Sequence, residues 1–349
     1  GTARWPALVY AALFAGGFAM LYRRVTASAA GSLPRQRAAR PEKLLAALLA
    51  AAFALRAVIA LSVYGYEADV NLFKAWAAHA FARGLPGFYD GSLFVDYPPG
   101  YIYILYVIGA LQHLFALEHG SSFGTFLIKL PAIAADLAIG ALLYLCGTSP
   151  AFAAAVRHGK ELGSAKAAGG KAKNAGGSSG AAPAAEGGPV SPAAALSVAA
   201  LYLFNPATIV DSAAWGQVDA VFTAVALTAV LLLASGRLPQ AAAAFAAALL
   251  IKPQALIFGP LLLLSLLRRR SWKTFALCLL CGLPVFLLPV LPFTWMKPGG
   301  PLWLQELYTG TLAQYPYASL NAYNFHALLG GNWRPLGTTT LFGLTHTAW

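Results

Sequence analysis

Long apolar runs broken by short polar stretches set the pattern of this chain, and their lengths predict a bundle of membrane-crossing helices. A helix needs about 20 mostly apolar residues to cross a bilayer. Runs of that order occupy residues 6–22, 44–64, 123–146, 192–211, 217–236, 238–251 with 255–267, and 273–292. The stretch from Leu238 to Arg270 is interrupted at Lys252-Pro253, so it cannot cross as one straight helix. It predicts a broken hairpin with IKPQ at its tip.

The polar breaks assign sides. Arg23, Arg24, Arg35, Arg37, Arg40 and Lys43 follow the first run, and Arg268, Arg269 and Arg270 precede the last. Basic loops of this kind favour the cytoplasmic face. Residues 65–98 then form an outer loop. The Lys-, Ala- and Gly-rich stretch 150–191 reads as a disordered cytoplasmic loop. Joining an outer loop to a cytoplasmic one takes an odd number of crossings. The apolar PPGYIYILYVIGALQHLF that starts at Pro98 is therefore expected to lie along or dip into the outer leaflet, with 123–146 crossing. Four segments result: 1–149, spans with the outer loop and a juxtamembrane helix; 150–191, the low-complexity loop; 192–292, further spans; and 293–349, an outer loop with the start of another span.

Composition agrees with this class. Apolar residues make up 59% and charged residues 10% of the chain, against about 45–50% and about 25% in soluble domains. The net charge of +12 sits in clusters between apolar runs, which orients spans and gives no sign of nucleic-acid binding. Cys146, Cys278 and Cys281 lie in or beside apolar runs and read as small hydrophobes. The chain begins without Met and stops after a long loop, so a fragment lacking C-terminal spans is expected.

With these sides, EADVN, DYPP, WGQVD, SLNAYN and Lys252 share the outer face. Ionisable groups at membrane depth cost roughly 2.5–3.5 kcal/mol on insertion scales and are functional candidates by default. Asp69 either caps the helix NLFKAWAAHAFARG or serves a pocket, and Asp96 either caps the helix after Pro98 or faces Asp69. Lys252 either snorkels to headgroups or finds an anion, such as a lipid phosphate, beside the helix break at Pro253. Trp215, Gln217 and Asp219, with Tyr97, Asn321, Asn324 and His326, supply the aromatic and amide groups of a sugar or acceptor pocket, or else an aromatic belt. No phosphate-cradling glycine loop is present. A lipid-borne donor with a phosphate leaving group would need one carboxylate base, Asp69, and one cation, Lys252. No cofactor is required, although Asp69 and Asp96 could share a divalent cation.

The ordered series DVNLFKAWA, DYPPGYIYILY, FLIKLPAIAADL, NPATIVDSAAWGQVDA, LLIKPQALI and SLNAYNFHALLGGNW resembles the GT-C superfamily of integral-membrane glycosyltransferases. Within that superfamily it is similar to bacterial relatives of the second mannosyltransferase of GPI-anchor assembly. The resemblance implies an inverting hexosyltransferase with a GT-C-like helix bundle in the cell inner (plasma) membrane and an extracytoplasmic active site. Its implied donor is a polyprenyl-phosphate hexose, with mannose the implied sugar. Its implied partners are membrane lipids and an acceptor glycan, lipid or protein. Asp69 is its implied base. A membrane transporter or lipid flippase is the alternative, because broken helices carrying a Lys and acids also suit ion coupling. A non-catalytic scaffold is the third.

Overall fold

The computed structural model describes residues 9, 12–20, 23, 40–157, 188–295, 300–313, 316–320, 325–340 and 343–348. Much of the 6–22 run, residues 158–187 of the low-complexity loop, Asn321 and Asn324 lie outside the described residues. In chain order the helices are α1 (Pro41–Ser62), α2 (Glu67–Gly87), α3 (Pro99–Leu114), α4 (Ser122–Thr148), α5 (Pro192–Leu203) and α6 (Pro206–Ile209), which continues as a π-helical turn, Val210–Trp215. They go on with α7 (Asp219–Ala234), α8 (Leu238–Ile251), a 3-10 turn (Pro253–Phe258), α9 (Gly259–Arg269), α10 (Trp272–Thr294), α11 (Trp303–Ala313) and α12 (Phe325–Leu328). Among the described residues extended structure is limited to isolated pairings, such as Tyr317 with Pro335. The chain is an all-α polytopic membrane protein.

Three helices, α1, α4 and α10, are long and apolar enough to cross a bilayer. The expected straight span at 192–211 is instead bent by 48° between α5 and α6. Pro206 explains the bend, since the residue before a proline is driven out of the helical region. Asn205 takes that extended position and accepts the Ala207 N–H at 2.9 Å, capping α6. The expected turn in DSAAWGQVDA is likewise shorter than the sequence suggests: Asp211 to Trp215 remain helical, and the chain turns only at Gly216–Val218. At Lys252 the expected break is present, with extended backbone (φ −145°, ψ 135°) ahead of Pro253.

Burial is unevenly distributed. α10 leaves Leu280, Leu287, Leu288 and Leu291 exposed, as a helix facing hydrocarbon does. α8 turns Ala241, Ala242, Ala246 and Ala248 inward, small residues that let α7 and α10 approach closely. The largest packed core is elsewhere, where α2 and α3 meet the ends of α4, α8 and α10: Phe73, Trp76, Ala77, Tyr101, Ile102, Leu105, Ile108, Leu127, Leu250 and Phe293. α3 is 16 residues long and buries six of them in this layer. The best-packed part of the molecule therefore carries the loop that holds Asp96 and Tyr97.

Candidate functional site

Asp69 is the third residue of α2, whose cap is Tyr66, so of its two readings the N-cap does not hold. Its Oδ2 instead accepts the Trp215 Nε1–H at 2.8 Å and an N–H of the Gln217 side chain. The acid of the first loop and the WGQ segment 146 positions later thus form one cluster. Their backbones touch directly. Gly65 has φ +103°, and a Cβ there would lie 2.7 Å from the Trp215 carbonyl and 2.8 Å from that of Ala214. The Tyr66 ring meets Trp215 edge-on at 5.8 Å. Gly65→Ala is expected to cost about 1–3 kcal/mol through left-handed strain and this overlap, read as a lower melting temperature in detergent. An unchanged melting temperature would count against the close approach.

Lys252 ion-pairs with Asp219, the first residue of α7, and stands over the Tyr97 ring at 5.5 Å. Within the protein an anion for Lys252 is thus Asp219, because the break at Pro253 points Lys252 back at the N-terminus of α7. Asp219 remains about half exposed. Asp96 is not a helix cap either: α3 begins at Pro99 with Pro98 before it, and no side chain caps it. Asp96 is held between two anchored neighbours. Trp76 Nε1 donates to the Phe94 carbonyl at 2.8 Å, and the Tyr89 hydroxyl donates to the Tyr97 carbonyl at 2.8 Å.

Tyr97 ties the two halves together. Burial, followed by the charges of Asp219, Asp96, Asp69 and Asp211, pushes its phenol well above the ordinary range. It therefore stays protonated. Asp211, half-buried in the π-helical turn, is a site carboxylate that sequence reasoning did not single out. His326 lies in the 325–348 segment, edge-on to His346 at 5.5 Å, and no contact joins it to Asp69 or Lys252 among the described residues. Among those residues no three His, Cys, Asp or Glu side chains are grouped to hold a metal, so the cation contemplated for Asp69 and Asp96 gains no third ligand of that kind.

Two further polar groups lie inside the spans. Arg56 and Asp136, both buried, pair at 3.0 Å. Arg56 also donates to the Leu203 carbonyl at 2.7 Å, the loose end of α5, and to Thr208 Oγ1 at 3.2 Å. Asp136 accepts from Tyr202 at 2.8 Å and from Ser212 at 2.7 Å. Seven residues earlier on the same face of α4, the Lys129 ammonium donates to the carbonyls of Val63, Ala213 and Ala214 at 2.7, 3.0 and 3.1 Å. Arg56 and Asp136 clamp the bent span, and Lys129 ties the end of that span to the end of α1. The rule that picked out Lys252, an ionisable group inside an apolar run, applies equally to FLIKLPAIAADL and finds both Lys129 and Asp136.

The fold and site define a multi-pass membrane protein with a polar, aromatic-walled cluster assembled from its first loop, its bent span and its broken hairpin. Residues 77–312 match PIG-U, the GPI transamidase subunit. The chain belongs to the PIG-U family. No curated protein matches it. The family match supports the membrane and GPI-anchor side of the resemblance seen in the sequence; it does not carry the glycosyltransferase side.

Proposed function

We propose that this protein takes part in GPI-anchor-related processes by binding the sugar- and phosphate-bearing headgroup of a membrane glycolipid at the Asp69–Trp215–Gln217 cluster. The observation that carries the reading is the division of labour at Asp69. Oδ2 is occupied by an indole and an amide N–H, whereas Oδ1 has no hydrogen-bond partner among the described residues. A fixed carboxylate oxygen beside an indole that is 39% exposed suits a sugar, whose hydroxyls donate and whose C–H face packs on aromatic rings. Lys252, between Asp219 and the Tyr97 ring, supplies a cation for a phosphate on the adjoining wall. Membrane lipid surrounds the exposed helices and gives a lipid-borne ligand its route in.

Sugar transfer is the second reading, favoured by the same unoccupied Oδ1. Asp69 would accept the proton of an acceptor hydroxyl as it attacks the anomeric carbon of a polyprenyl-phosphate hexose, inverting that centre while the phosphate leaves with the bonding electrons. The carrier alternative rests on broken helices with a Lys and acids; the one ion pair well inside the helices among the described residues is Arg56–Asp136. That pair joins α1 to α4 and is hydrogen-bonded to α5 and to α6 with its π-helical continuation, and reads as a clamp rather than a moving charge.

The protein in lipid nanodiscs, offered a glycosylated phosphoinositide and a polyprenyl-phosphate hexose, separates the readings. Binding predicts a measurable Kd for the glycolipid, raised about tenfold in Asp69→Asn by loss of a charge-assisted hydrogen bond. Transfer predicts turnover of the hexose donor, falling at least about 100-fold in Asp69→Asn with Kd little changed. Failure of the wild-type protein to bind either lipid would end the proposal.

A further inference from the structure

We propose that Lys129 is the positioning residue of this site: one buried cation that holds the Asp69 loop against the Trp215–Gln217 segment so that the two act as a single binding surface. The inference rests on the reading of that surface as the glycolipid site, and its first test does not.

Lys129 is fully buried, and its three carbonyl partners are the relevant observation. Val63 is the residue that ends α1, two positions before Gly65. Ala213 and Ala214 are the last residues before Trp215 in the π-helical turn. Carbonyls at helix ends lack intrahelical donors and carry the negative end of the helix dipole. An ammonium has three N–H donors, and here each is matched to one such carbonyl. Lys129 has no carboxylate within ion-pair distance among the described residues, so the carbonyls at the two helix ends are the partners that meet its charge.

The contacts that join the Asp69 loop to the Trp215–Gln217 segment lie at this junction or just downstream of it. Gly65 packs on the Ala214 and Trp215 carbonyls, Tyr66 meets the Trp215 ring, and Asp69 accepts from Trp215 and Gln217. The fold as a whole has an independent clamp. Arg56 and Asp136 hold the bent span at Leu203, Thr208, Tyr202 and Ser212, away from residue 63. Removing the Lys129 ammonium therefore frees the junction while leaving the span attached. Methionine keeps an unbranched apolar stem, one atom shorter, and leaves three buried carbonyls without a donor, so residues 63 and 213–214 separate to reach water.

The test is cross-linking in the absence of ligand. In the full chain, with Cys146, Cys278 and Cys281 replaced by serine, Tyr66→Cys and Trp215→Cys are joined by a short bifunctional thiol reagent in nanodiscs. The rate is expected to fall at least tenfold when Lys129→Met is added; an unchanged rate in a folded variant overturns the proposal. If Lys129→Met fails to fold, Lys129→Gln, which keeps two N–H donors without the charge, is expected to give an intermediate rate, and a wild-type rate overturns it. A second arm measures glycolipid Kd. Lys129→Met and Gln217→Ala should be non-additive, the pair costing little more than the larger single change, because both act on one surface. Additive losses would make Lys129 a general stabiliser and overturn the positioning role. Should the wild-type protein bind no glycolipid, the functional reading fails, while the cross-linking arm still decides what Lys129 does.

Discussion

Asp136→Leu is expected to destabilise the protein by about 3–5 kcal/mol, the cost of stranding a buried cation. Arg56 has no exposure through which to recover water, and its partner carboxylate is also the acceptor for Tyr202 and Ser212. Arg56→Met should cost a similar amount by stranding Asp136. The double variant Arg56→Met, Asp136→Leu is expected to recover much of either loss, since exchanging a buried ion pair for apolar groups of similar size is often close to neutral. Denaturant unfolding in detergent checks this. A double variant as unstable as the sum of the two singles would mean the groups act separately and the clamp is misassigned.

Gly109→Ala should cost about 3 kcal/mol, at the upper end for overpacking. A Cβ at Gly109 would stand 2.1 Å from the Ala77 carbonyl oxygen and 3.0 Å from Phe81 Cβ, so α2 and α3 would have to part. The obstacle is backbone and cannot rotate away. Because α2 carries Asp69, this change is also expected to weaken glycolipid binding without touching the ligand. Matched thermal unfolding and Kd measurements on Gly109→Ala decide it. Wild-type values for both would show that the helices are not in contact at this point.

The apolar spacing made the membrane class and the helix positions legible, because hydrocarbon imposes a length on any span. DYPP and IKPQ were legible as breaks because proline restricts its own φ and the preceding residue. The 48° bend at Pro206 uses the same chemistry inside NPATIVDSAAW, where the surrounding apolar run masked it. Partner identity was less accessible. Lys252 in an apolar run signals that it needs an anion, but nothing local distinguishes Asp219 from a lipid phosphate; only the geometry of the broken hairpin does so. Asp69 illustrates the same limit. An acid three residues into a helix and one bonded to an indole 146 positions away read alike along the chain. Lys129 and Asp136 were readable in principle, as charges on one face of a span, and their partners were not.

Photo-cross-linking tests the central claim most directly. A glycosylated phosphoinositide carrying a diazirine on its sugar would be incubated with the protein in nanodiscs, irradiated, and the labelled peptides mapped by mass spectrometry. Convergence of the first loop, the bent span and the broken hairpin on one ligand predicts label in peptides containing residues 65–76 and 211–219, displaced by unlabelled glycolipid and reduced in Trp215→Ala. Displaceable label confined to other parts of the chain, with 65–76 and 211–219 unmarked, would contradict it.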